Sequence, residues 1–210
     1  DDAFGPGPEQ RRLRRQQDAL GTARGHGAVG VGDETILVQT SAMKHCEIDV
    51  LNRTARVGAG ARWQDVIAAA APHGVAPLCG SSPSVGVVGF LTGCGIGPLV
   101  RTVGLSSDHV RAFDVVIGSG QLLRVTPQEN ADLFWGLRGG KATLGIVTTV
   151  EIELPYIPEF YGGAVYFDGT DAAAVLHAWR NWSAGLPETV NTSIAIQQLP
   201  PLPGVPEPLA

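Results

Sequence analysis

Cysteine is scarce in this chain: Cys46, Cys79 and Cys94 are an odd number among 210 residues, and none stands in a C-x-x-C pair. Neither a disulfide framework nor a zinc site is indicated. Long apolar runs are missing too, so no membrane-spanning helix is expected. Charge of one sign is not concentrated either. The formal net charge is −5, and the scattered Lys and Arg form no basic stripe, which argues against nucleic acid as the main partner. One cluster, RRLRR at Arg11–Arg15, interrupts that picture and reads as a solvated face near a terminus. The first residues, DDAFGPGPEQ, lack the basic start and apolar centre of a signal peptide, although a trimmed chain would look the same. No compartment is indicated, and the N-x-S/T triplets at Asn52, Asn181 and Asn191 carry no weight.

What is present is a hydrophobic content of 44%, enough for one large domain or for one and a fraction. A polar, helical opening (PEQRRLRRQQDALG) leads to the glycine-rich turn RGHGAVGVG. Strand-like TILVQT and EIDVLN follow, then TARVGAG, with Asn52 and Arg53 placed to reverse the chain between antiparallel strands. ARWQDVIAAAAPHG sets Trp63, Val66, Ile67 and Ala70 on one helical face, with Pro72 and Gly74 as stops. RAFDVVIGSGQLLRVT reads as a hairpin turning at Gly118-Ser119-Gly120. ENADLFWGLRGG reads as a short helix, and GIVTTVEIELP as a long strand closed by Pro155. Pro155 and Pro158 suggest a boundary. Beyond it, FYGGAVYF, DAAAVLHAWRNWSAG and TVNTSIAIQQL form a strand, helix, strand unit that looks unfinished, since one such unit cannot cover both faces of a sheet.

Between the first helix and the hairpin lies GSSPSVGVVGFLTGCGIG, with six glycines in eighteen residues and no charged side chain. Glycine lets backbone approach a ligand closely, and successive N–H groups can form a nest for anionic oxygens. The loops at 25–32 and 80–97 could therefore clamp a diphosphate and a flat ring. Glycine count alone is equally compatible with loops that merely turn tightly. Two familiar phosphate motifs are absent. GCGIGP lacks the third glycine of a dinucleotide fingerprint, and GLRGGKAT has Ala142 where a P-loop needs Ser or Thr, so Lys141 is no Walker lysine.

RGHG, then ARVGAGARWQDVIAAAAPHGVAPLCGSSPSVGVVGFLTGCGIGPLVRTVGLSSDHV, then NADLFWGLRGGKATLGIVTTVEIELP, resembles in order and spacing the FAD-binding domain of berberine bridge enzyme-like oxidases. These belong to the vanillyl alcohol oxidase and p-cresol methylhydroxylase superfamily, and the resemblance covers about Ala23–Pro155. It implies an α+β, two-subdomain FAD-binding domain over residues 1–155. The start of an incomplete α+β substrate-binding domain would follow over 156–210.

The same resemblance implies the cofactor contacts. Gly25, His26 and Gly27 stand at the pyrophosphate loop, and His26 matches a histidine that many members bond covalently to the flavin. The other reading of His26 is a free histidine in a glycine turn. Many members add a cysteine link, but Ser82 occupies that place here, so one covalent bond at most is expected, through His26 and not through Cys79. Ser81, Ser82, Val85, Gly86, Gly89, Gly93, Gly95 and Gly97 would line the diphosphate and isoalloxazine, with Gly145, Ile146 and Val147 beside the adenine and Asp108 nearby. Cys94 breaks the family's glycine run, and Lys141, Ala142, Thr143 and Leu144 replace small positions. If those positions hold positive φ, each Cβ costs about 1 kcal/mol or more.

The implied activity is an FAD-dependent oxidoreductase acting on an alcohol, sugar or related small molecule, with oxygen or another acceptor taking the electrons. The alternative is a non-catalytic flavin-fold protein. No catalytic base is assigned: Tyr161 and Tyr166 flank a strand-like run and read as sheet packing, and surface or helix-end roles suffice for His73 and His177.

Overall fold

The structure is a computed structural model and describes residues 38–197. Its elements run β1 (Cys46–Asp49), β2 (Thr54–Gly58), α1 (Trp63–Ala70), α2 (Val87–Leu91), α3 (Val100–Val103), β3 (Val110–Val116), β4 (Leu122–Val125), α4 (Ala131–Leu137), β5 (Ile146–Glu153) and α5 (Ala172–Ser183). The chain divides into two compact units, one formed within 1–97 and 105–158, the other within 98–104 and 159–210. The expected N-terminal helix, the first glycine loop with Gly25, His26 and Gly27, and the first half of TILVQT lie outside the described residues.

The first unit is built on a five-stranded sheet in the order β1-β2-β5-β3-β4, with every neighbouring pair antiparallel. Side chains alternate across it. Ala55, Val57, Phe113, Val115, Val125, Val150 and Ile152 point to the core. On the other face Arg56 and Arg124 bind Asp114 at 2.5 and 3.1 Å, and Arg124 reaches Glu151 at 2.5 Å. The reversal at Asn52-Arg53 forms as expected. The Asp49 carboxylate accepts from the Asn52 backbone at 3.0 Å and its side chain at 2.7 Å, which holds its pKa below the usual carboxylate range.

Helix α1 starts where the Asp65 carboxylate accepts the Arg62 N–H at 2.9 Å, and the chain leaves its final turn at Gly74. Trp63, Val66 and Ala70 are fully buried as the spacing predicts, but Ile67 is 36% exposed. Its angle around the helix carries it off the buried stripe, since an eight-residue helix lying on a sheet covers only a narrow arc. Phe90 meets Trp63 edge to face, with centroids 5.6 Å apart. Val87 and Leu91 of α2, and Phe134 and Leu137 of α4, complete this core.

In the second unit α5 forms, but FYGGAVYF and TVNTSIAIQQL do not become strands over their described residues. A β-ladder needs a partner to pair each N–H and C=O, and propensity alone does not supply one. Tyr161 and Tyr166 accordingly stand exposed rather than packed in a sheet. The unit is held by polar contacts: Arg101 donates to the Val190 and Leu186 carbonyls at 2.7 and 3.0 Å, and Thr102 to Glu188 at 2.9 Å.

Candidate cofactor site

The glycine-rich segment is clipped to the start of α1 by main-chain bonds. Gln64 N–H donates to the Pro83 carbonyl at 2.8 Å, Trp63 N–H to Val85 at 3.0 Å, and Val87 N–H to Ala61 at 3.2 Å. These bonds flank an antiparallel bridge between Arg62 and Gly86, a non-hydrogen-bonded pair whose own amides point away from each other. Gly86 therefore aims its N–H outward. Ahead of it, the Ser82 and Ser84 hydroxyls lie 3.1 Å apart. Helix α2 then buries Val87 and Leu91 and leaves Gly89 exposed.

The glycines of this segment fall into two kinds. At Gly95, φ is +75°, and a Cβ would stand 2.8 Å from Ser106 Cβ and 2.9 Å from Phe90 Cε1. At Gly97 a Cβ would stand 2.4 Å from the Cys79 carbonyl oxygen. Both are required by packing, and the Gly95 carbonyl accepts the Ser106 N–H at 2.9 Å while the Ser106 hydroxyl donates to Leu78. At Gly86 and Gly89, in contrast, a Cβ would meet nothing within 4 Å. Those two offer bare backbone to open space, a cradle that any side chain would fill. This is what close approach of an anionic, flat cofactor requires.

The loop after α4 laces onto this segment. Lys141 N–H donates to the Thr92 carbonyl at 3.0 Å, Lys141 Nζ to the Gly89 carbonyl at 3.2 Å, and Cys94 Sγ to the Arg138 carbonyl at 3.9 Å. Cys94 and Lys141 do hold positive φ, +73° and +61°, so these two of the departures from the glycine pattern sit at left-handed positions, whereas Thr143 and Leu144 do not. Next along, Gly145 opens β5, Ile146 pairs with Val116 and Val147 with Val115; Val147 is buried and Ile146 is 40% exposed. Asp108 accepts the Leu105 N–H at 3.0 Å and lies 4.0 Å from Arg138 Nη1, so its carboxylate serves a local turn. The Arg138 guanidinium covers the Phe134 ring at 4.8 Å.

The fold thus brings Gly89, Thr92, Gly93 and Cys94 of this segment together with the Arg138–Leu144 loop, which sequence reasoning marked only as a family departure. Lys141 was legible there as a misfit; its reach back to Gly89 was not. A hollow of about 550 Å³ lies elsewhere, walled by Glu47, Asp49, Arg56 and Glu151 on the charged face of the sheet, and it has the wrong chemistry for an anionic ligand. Burial pushes the Cys79 thiol above its usual pKa, which suits a packing residue rather than a nucleophile.

An antiparallel sheet flanked by short helices, with uncharged glycine backbone exposed at one helix, suits a domain that holds an anionic ring-bearing cofactor. Residues 14–126 match the FAD binding domain family, and the chain belongs to it, as a relative of the berberine bridge enzyme-like oxidoreductases with FAD as its cofactor. It is 37% identical over 138 residues to the FAD-linked oxidoreductase azaL of Aspergillus niger, covering 64% of this chain and 29% of that protein. The structure matches 6-hydroxy-D-nicotine oxidase from Arthrobacter nicotinovorans with TM-score 0.59 and 27% identity, covering 69% of this chain and 33% of that one. Glucooligosaccharide oxidase from Acremonium strictum, whose FAD is 6-S-cysteinyl and 8α-N1-histidyl, matches with TM-score 0.52 and 34% identity over 54% of this chain and 24% of its own. The chain spans about a third of the length of the curated relatives it matches. Among the described residues no helix is long and apolar enough to cross a membrane.

Proposed function

We propose that the intact protein is an FAD-dependent oxidoreductase that oxidises a hydroxylated small molecule, such as a sugar or another alcohol. Oxygen or another acceptor would take the electrons. The observation that carries this reading is the open backbone at Gly86 and Gly89 within a segment that has no charged side chain. When bound, FAD supplies an electron acceptor at its N5 that no side chain here offers. The chain's own part is to bind and orient. Ser81–Gly97 present backbone and small side chains to the diphosphate and the ring, Gly145–Val147 present backbone to the adenine, and His26 forms the single covalent attachment, with Ser82 unable to form a second. Residues 1–155 act as the FAD-binding domain and 156–210 begin the substrate-binding domain, which supplies the proton acceptor for the substrate hydroxyl.

The relatives support an oxidative reaction without narrowing the substrate, since one is an oxidase of a nicotine derivative and another of an oligosaccharide. The test is spectroscopic. The purified protein should be yellow and bleach when an oxidisable sugar or alcohol is added without air. A colourless protein that takes up no added FAD overturns the proposal. After acid precipitation, flavin should stay with the pellet and add its mass to the chain; full release into the supernatant overturns the His26 attachment alone.

A further inference from the structure

We infer that Lys141 is a cofactor-binding residue, whose ammonium pairs with the diphosphate of FAD and gives the glycine-rich cradle the cation that its own segment lacks. The inference rests on the FAD reading above. Its starting point is an unfavourable backbone: Lys141 holds φ +61°, a left-handed conformation where glycine would sit without strain. Main-chain bonding fixes it there, through its N–H to the Thr92 carbonyl at 3.0 Å. A long cationic side chain is thereby anchored at its root beside the cradle.

The side chain then folds over the cradle. Nζ donates to the Gly89 carbonyl at 3.2 Å, and a Cβ built on Gly93 would stand 2.2 Å from Nζ and 2.7 Å from Cε. The ammonium therefore rests on the bare backbone of Gly93 and on the carbonyl of Gly89, the glycine whose other side faces open space. An ammonium carries three donors, and Gly89 uses one. Among the described residues no carboxylate lies within ion-pair distance of it. The remaining donors suit phosphate oxygens, which Lys binds as a point charge. The diphosphate is anionic in every redox state of the cofactor, whereas the ring is neutral when oxidised, so binding of oxidised FAD is the property at stake.

The experiment uses the intact protein, produced free of flavin in riboflavin-starved cells. The first, reversible phase of binding is followed by quenching of flavin fluorescence, with FAD and with riboflavin, which has no phosphate. Lys141→Gln should weaken FAD binding about tenfold at low salt. The difference should shrink at high salt, as screening predicts. Riboflavin binding should stay within about twofold, and Lys141→Arg should keep most of the FAD affinity. Gly93→Ala, whose methyl displaces the ammonium, should reproduce part of the loss. Unchanged FAD binding in Lys141→Gln overturns the inference while leaving the FAD reading intact, as does an equal loss of FAD and riboflavin, which would make Lys141 a contact of the ring or a shaper of the loop. Wild-type protein that binds neither flavin overturns the FAD reading and this inference together.

Discussion

Gly95 and Gly97 are walled in by Ser106, Phe90 and the Cys79 carbonyl, whereas Gly86 and Gly89, earlier in the same segment, look onto open space. The same residue type is kept for opposite reasons. In one half a Cβ would break the fold, and in the other it would meet nothing, over ground that the proposed function gives to the cofactor. Glycine content on its own merges the two, and only the neighbours of each Cα separate them.

Breaking the packed half should have the largest effect. Gly95→Val puts a branched side chain at φ +75° against Ser106 and Phe90, and it should cost about 3 kcal/mol or more. Urea denaturation should show a large fall in midpoint or loss of the cooperative transition. In the open half, Gly86→Ala should change stability by less than about 1 kcal/mol, because its φ of −69° and ψ of 134° are ordinary for alanine. Its FAD affinity should nonetheless fall about tenfold in a fluorescence titration. A stability loss rivalling that of Gly95→Val would erase the distinction between the halves.

Cys94, next to Gly95 and at φ +73°, lies on the packed side of the boundary without being glycine. Cys94→Gly should raise stability by up to about 1 kcal/mol, read as a higher urea midpoint; a drop would show that its thiol contact with the Arg138 carbonyl outweighs the backbone strain. The smallest effect concerns Cys79, whose carbonyl limits Gly97. Burial raises its thiol pKa above 9.0 in the folded chain, so the unfolded chain releases that proton first. Stability from this group is intact below pH 9.0 and erodes as pH rises past it. Melting temperatures of wild type and Cys79→Ser should therefore converge with increasing alkalinity, and parallel curves would contradict the assignment.

Much of the first unit was readable from residue order. The β1–β2 reversal, the Gly118–Gly120 hairpin, α1, α4 and β5 all appear where local pattern and turn residues place them. These elements share a property: their signals are local and their partners lie in the same unit. FYGGAVYF and TVNTSIAIQQL carry comparable strand patterns, yet over their described residues they form no β-ladder. Ile67 shows the same limit on a smaller scale, since the helical period places it near a buried stripe while the sheet beneath decides how wide that stripe is.

Of the candidate site, the ordered glycines, Ser82 in the cysteine's place and the irregular residues Cys94 and Lys141 were all visible in the sequence. That Lys141 lies over Gly93 was not, because 48 residues of chain separate them and nothing local signals the approach. The sequence by itself determined which backbone could be bare and uncharged, since those properties belong to single residues. The tertiary structure alone decided which bare backbone is buried under neighbours and which is left open with an ammonium across it, because burial and proximity are properties of pairs that only folding creates.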